Sequence, residues 1–208
     1  MANDNVPRGL YPLNFNIQQA HVYRVSSAAD IFLYMPVSIG ATGFVARAEI
    51  TTQNTVILGA AVGFAGTRKS GLATNDPFLD VSDLTPPTPS SDTGDRYVLV
   101  ADDPNQEYLI QEDTGGTALA LADIGMSADL VYRGAVESTP TGDVDSGWVR
   151  MELDASTVAA TTGGAVTVLR LHDAINADGT ENAVGDFAKW VVRITHHQKT
   201  GLQAVAQV

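Results

Sequence analysis

Two adjacent histidines, His196-His197, are the first residues of this chain to invite a chemical reading. Paired imidazoles suggest zinc, which needs about three or four converging ligands. Neighbours on a strand point to opposite faces, so this pair is poorly placed to chelate one ion. His21 and His172 stand far away in sequence, and structural or surface histidines are the better reading. Carboxylates are more numerous. Asp102, Asp103, Asn105 and Glu107 fall in the loop Asp-Asp-Pro-Asn-Gln-Glu, and Asp173, Asp178 and Glu181 flank a later connection over 176–186. Calcium takes about six to eight oxygens, often from such loops, but the spacing and glycine of an EF-hand are missing. A solvated turn accounts for the first group. Glu112-Asp113 raises the paired carboxylates of glycoside hydrolysis, whose convergent geometry sequence alone does not give. No Gly-x-Ser-x-Gly elbow or Ser-x-x-Lys motif occurs, and Gly115-Gly116 lacks the Gly-Lys-Ser/Thr continuation of a phosphate loop. Nothing here argues for catalysis. The chain reads as a non-enzyme with no catalytic, cofactor or metal residues.

The charge balance narrows the partners. Twenty-four acidic residues against twelve basic give a net charge of −12, with only Lys69, Lys189 and Lys199 as lysines. The arginines are scattered singly from Arg8 to Arg193. Neutralising a phosphate backbone needs clustered cations, so nucleic acid is not an expected partner. Cysteine is absent, which excludes disulfides and thiolate chemistry. No apolar run approaches the ~20 residues that cross a bilayer, and Met1-Ala2-Asn3-Asp4 lacks the features of a signal peptide. Neither a membrane nor export is expected, and synthesis in the cytoplasm follows. A chain of 208 residues buries roughly 70% of its unfolded surface and forms one full core.

The elements that must carry these residues read as strands. Thr, Val and Gly are plentiful, turn signals recur at short intervals, and no segment keeps a helical apolar period over three turns. Candidate strands cover 20–26, 31–39, 44–48, 56–64, 97–101, 108–112, 130–132, 148–153, 166–172 and 189–196. In 148–154, Val149, Met151 and Leu153 alternate with Trp148, Arg150, Glu152 and Asp154, which predicts one core-facing side. Pro36 inside 31–39 suggests an edge or a bulge. Asp103-Pro104 suits the start of a type I turn, so 97–101 and 108–111 are expected to form a β-hairpin. Residues 118–124 suit a short helical turn, with Gly125 as its left-handed terminator. The expected fold is mainly β, a Greek-key β-sandwich or small β-barrel with an extended N-terminal arm and one long proline-containing loop. Residues 1–16 form the arm and 17–208 a single β-rich domain, with 66–96 a long loop or subdomain boundary.

Two segments stand out as contact surfaces. In the arm, Val6, Leu10 and Tyr11 are interrupted by Pro7, Arg8 and Pro12, without helical period. Such apolar groups need cover, either as a first strand of the chain's own sheet or on a neighbouring subunit. Within 66–96, prolines 77, 86, 87 and 89 favour extended backbone, while Phe78, Leu79, Val81 and Leu84 suggest a protruding contact loop.

The order of words along the chain is more telling than any single motif. Asn5-Val6-Pro7-Arg8-Gly9-Leu10-Tyr11-Pro12 opens it. Asp102-Asp103-Pro104-Asn105, Gln111-Glu112-Asp113, Gly115-Gly116-Thr117-Ala118, Ala122-Asp123-Ile124-Gly125 and Ala128-Asp129-Leu130-Val131 follow in the middle. Glu152-Leu153-Asp154-Ala155-Ser156-Thr157, Leu169-Arg170-Leu171 and Trp190-Val191-Val192-Arg193-Ile194 come later. Over roughly three quarters of the chain this order resembles a family of small virion proteins of tailed bacteriophages, usually capsid decoration or cement proteins. The resemblance implies a non-enzymatic structural protein on the outer capsid surface of the virion. Its partners would be the major capsid protein and further copies of itself, with a trimer as the first expectation from lattice threefold positions. Val6, Pro7, Arg8, Leu10, Tyr11, Phe78, Leu79, Val81 and Leu84 are the expected interface residues. The alternatives are another virion component, such as a head fibre base or tail protein, and a glycan-binding β-sandwich. The last would need exposed aromatic platforms, and Trp148 and Trp190 both fall in expected strands.

Overall fold

Short apolar runs bounded by turn residues become strands along most of this chain. The structure, a computed structural model, describes residues 3–25, 31–50, 54–65, 78–79, 97–133, 147–160 and 163–200. In chain order the strands are β1 (Tyr11–Pro12), β2 (His21–Arg24), β3 (Ile31–Phe32), β4 (Pro36–Ile39), β5 (Val45–Arg47), β6 (Gly59–Ala65) and β7 (Phe78–Leu79). Then follow β8 (Tyr97–Ala101), β9 (Tyr108–Gln111), β10 (Ser127–Tyr132), β11 (Met151–Ala159), β12 (Val166–Leu171) and β13 (Lys189–Ile194). The fold is mainly β, with two antiparallel sheets arranged as in a β-sandwich. One has the order β1-β9-β13-β12-β10-β11 and the other β2-β8-β6-β4-β5, while β3 and β7 form a separate pair.

Both sheets curl until distant strands meet. Val25, just past β2, bridges Val45 of β5 in parallel, and Glu112, just past β9, bridges Leu153 of β11 in the same way. Apolar side chains from both sheets, from β3 and from the connections join one core that holds Ile31, Met35, Ile57 and Val100 together with Tyr108, Met151, Val168 and Trp190. Burial of each such large side chain contributes roughly 1.5–3 kcal/mol relative to exposure.

Three expectations change. The segments 97–101 and 108–111 are strands, but they do not pair: β8 lies between β2 and β6, and β9 between β1 and β13. The turn between them is as expected. Gln106 N–H donates to Asp103 O at 2.9 Å and Asn105 N–H to the Asp103 carboxylate at 2.8 Å. The two strands diverge because each is buried almost without alternation, the pattern of a central strand in its own sheet, and the Tyr108 hydroxyl reaches back to Ala101 O at 2.7 Å. The run 31–39 is not one strand. Tyr34 adopts φ 64°, which turns the chain between β3 and β4 and aims its carbonyl at Leu10 N–H, 3.0 Å away. Pro36 is neither at an edge nor at a bulge. It opens β4, an interior strand, where a missing N–H is tolerated. The helical turn near Gly125 is a 3-10 turn, Leu121–Asp123, with Gly125 at φ 92° after it. Two further 3-10 turns, Ile17–Gln19 and Gln198–Thr200, had no sequence signal strong enough to name them.

Candidate functional site

The N-terminal segment is tied along the seam where β9 and β11 approach. Asn3 donates to Ala183 O at 2.8 Å and to Asp186 O at 3.0 Å, and the Asp4 carboxylate accepts Ala177 N–H. Val6 N–H donates to the buried Gln111 side chain at 2.6 Å. The Gln111 amide in turn donates to Glu152 at 2.7 Å and to Asn5 at 3.1 Å, while Arg133 pairs with Glu152 at 3.1 Å. Burial raises the Glu152 pKa, and the Gln111 and Arg133 contacts pull it back. Alternation in 148–154 placed Glu152 on the outer face. It is buried because the Asn5–Val6 stretch and Gln111 cover that face.

Beyond Val6 the segment becomes part of the fold. Gly9 N–H donates to Met151 O at 3.2 Å, and β1 pairs antiparallel with β9 through Tyr11↔Leu109 and Pro12↔Tyr108. Gly9 has φ +70°, and a Cβ there would lie 2.3 Å from a Val149 methyl and 2.6 Å from Tyr34 O. Only glycine fits that crossing. Leu10 is fully buried in the chain's own core, so it has no surface left for a neighbouring subunit. Among the expected interface residues this is a correction. Its physical cause is the Gly9 crossing, which drops the next side chain inward.

Asp4, Val6, Arg8, Gly9 and Tyr11 of this segment border a groove of about 500 Å³. Leu109, Ile110 and Gln111 of β9 lie beneath it, Val6, Arg8 and Tyr11 line one side, and Ile175, Ala177 and Lys189 also line it. Val6 is 42% exposed, Tyr11 37% and Ile175 73%. The Arg8 guanidinium stacks over the Trp148 ring at 4.3 Å, and Tyr11 meets Tyr34 edge-on at 5.0 Å. Pro7 is partly buried between these residues. Phe78 and Leu79 form β7 against β3, whereas Val81 and Leu84, with the rest of the proline-containing loop, lie outside the described residues.

A second polar cluster was hidden from sequence reasoning. Asp102, expected in a solvated turn, is buried and binds three partners. His21 Nδ1 lies 2.7 Å from one carboxylate oxygen, and the Tyr23 hydroxyl and Lys199 ammonium both bind the other. Burial alone would raise the Asp102 pKa, but the hydrogen bonds from Lys199, Tyr23 and His21 outweigh it and hold the group below its ordinary value. The cluster ties β2 and the 3-10 turn Gln198–Thr200 to the end of β8. His197 is buried beside it, with its pKa lowered by burial, and its Nδ1 accepts Lys199 N–H at 3.1 Å. The neighbour His196 stays partly exposed.

Glu112 is the third buried acid. It has no exposed surface, and its Oε2 accepts the Trp190 indole N–H at 2.5 Å. Burial pushes its pKa up to about 7. Asp113, its neighbour, instead accepts Ala155 N–H at 3.1 Å, so the two carboxylates do not converge. In the late loop, Asp178 accepts the amide and hydroxyl of Thr180 at 2.9 and 2.6 Å, an ordinary turn. Among the described residues no three His, Asp or Glu side chains are placed to hold a metal ion.

Comparison of this chain with protein-family models, with curated proteins and with solved structures gives no match.

Proposed function

We propose that this chain is a structural protein of a tailed-bacteriophage virion, a decoration or cement protein that sits on the outer face of the capsid. The observation that carries the reading is the collinear order of sequence blocks, from Asn5-Val6-Pro7-Arg8-Gly9-Leu10 to Trp190-Val191-Val192-Arg193-Ile194. The surface supports it. Val6, Arg8 and Tyr11 border an open groove beside the exposed Ile175, a concave surface with room for a few side chains of a partner. The mechanism is burial of interface area at symmetry-related sites. Each contact is weak alone, and the lattice turns many of them into a clamp by holding copies at high effective concentration. The net charge of −12 suits a protein that faces solvent at high copy number.

Copy number tests this reading. In purified virions the chain should approach the major capsid protein in molar amount when both are quantified by isotope-standard mass spectrometry. A ratio of a few copies per particle would place it in the tail or a fibre instead, and absence from purified particles would remove the virion role altogether.

A further inference from the structure

The groove beside the N-terminal segment inverts the charge of the molecule that carries it. The chain has twice as many acids as bases, yet the groove is lined by Arg8 and Lys189, with Asp4 as the acid. Asp4 accepts Ala177 N–H and keeps its charge, so the lining carries a net charge of +1. Arg8 has no carboxylate partner among the described residues; its guanidinium stacks on Trp148 and interacts electrostatically with Tyr34. Among the described residues the Lys189 ammonium makes one long bond, 3.3 Å, to the Asn176 side chain. Between these cations the surface is apolar, through Val6, Tyr11 and Ile175. An exposed isoleucine beside a lining of net positive charge gains from an occupant that carries both apolar side chains and carboxylates.

We propose that this groove receives an extended acidic–apolar segment of a partner protein, with its carboxylates on Arg8 and Lys189 and its apolar side chains against Tyr11 and Ile175. The volume, about 500 Å³, accommodates a few side chains rather than a folded element. The net charge of the chain repels a long polyanion, so the occupant must gain from apolar contact as well as from charge. This deepens the preceding reading by naming the chemistry of the partner's contact. It rests on that reading only for the statement that the partner is a capsid subunit.

The test uses the full chain and a fluorescein-labelled peptide alternating Asp with Leu and Val, beside the same peptide with Lys replacing Asp, read by anisotropy. The acidic peptide should bind saturably and weaken as salt rises to about 0.5 M, where charge contacts are screened. Arg8→Glu, Lys189→Glu and Ile175→Asp should each weaken it by about tenfold or more. All three positions face solvent or the groove, and thermal melts confirm that each variant is folded. Equal binding of the Lys peptide, no saturable binding at millimolar peptide, or indifference to all three variants would overturn the proposal. So would self-association of the wild type that Arg8→Glu abolishes and the acidic peptide cannot displace, because the groove would then join copies of this chain. Failure of the peptide together with high copy number in virions would sink the groove and leave the decoration role standing.

Discussion

Replacing Glu112 with glutamine isolates one buried ionisation. Glu112 sits where β9 meets β11, without solvent contact, and burial raises its pKa from 4.5 to about 7. The Trp190 indole and the Leu119 amide oppose the rise, while the Asp113 and Asp186 charges add to it. In the unfolded chain the group titrates near its ordinary value, so between 4.5 and about 7 the folded state holds a proton that the unfolded state has lost. The stabilisation tied to this proton is therefore complete below 4.5 and gone once pH passes about 7. Roughly 2.5 pH units at ~1.4 kcal/mol each amount to about 3 kcal/mol. Glu112→Gln keeps the side-chain shape and an acceptor for the indole, but it cannot ionise. Urea unfolding of both proteins, followed by tryptophan fluorescence at several values from about pH 4.5 to about pH 8, reads the difference directly. Wild type should lose about 3 kcal/mol relative to Glu112→Gln across that range. A difference that stays constant within ~0.5 kcal/mol would refute the claim that the fold keeps this carboxyl neutral.

Asp102 should behave with the opposite sign. Its pKa is held below 3.8, so the Asp102→Asn penalty, ~3 kcal/mol for a buried charge network, should shrink in acid as the carboxylate takes up its proton; urea melts down to about pH 2 check it. Leu10→Ala should cost about 2–5 kcal/mol in chemical denaturation, while Val6→Ser, on the exposed part of the same segment, should cost less than ~1 kcal/mol. Equal effects would mean that the segment does not enter the core at Leu10. Gly9→Ala should destabilise by more than ~1 kcal/mol, because the positive φ and the Val149 methyl both oppose a Cβ; a neutral substitution in the same assay would contradict the crossing geometry.

Most strands were legible because each is a local event. Tyr97–Ala101 and Tyr108–Gln111 declare themselves by continuous apolar runs between turn residues, and Asp103-Pro104 declares the turn between them. The pairing of strands is not local. Nothing inside 97–111 says that β8 will accept β2 and β6 while β9 accepts β1 and β13, so a hairpin was the natural and mistaken reading. The break at Tyr34 was invisible because its left-handed backbone is imposed by contacts from Leu10 and Ala61, with no glycine to announce it. β1 was obscured by Pro7 and Pro12, although only two residues pair and proline is acceptable there.

The candidate site was half legible. Val6, Arg8 and Tyr11 stood out as apolar and cationic residues in a segment without helical period, and they border the groove. Ile175 and Lys189, which also line it, gave no signal, because they reach it through a turn and a strand near the other end of the chain. The Asp102 cluster was out of reach for the same reason: His21 is 81 residues away and Lys199 is 97. Glu112 offered one usable clue, an acid ending an apolar strand in a chain with few aromatics, but its indole partner lies 78 residues on.

The proposed capsid-surface role is open to one direct test. Cryo-electron microscopy of the virion, with the two sheets fitted to density, tests it most directly. If the chain is a decoration protein, its density lies on the outer capsid surface at symmetry-related positions, with Arg8, Tyr11 and Ile175 turned toward an extended segment of the major capsid protein. Density confined to the tail or a single vertex, or a capsid whose outer surface carries none of it, would contradict it.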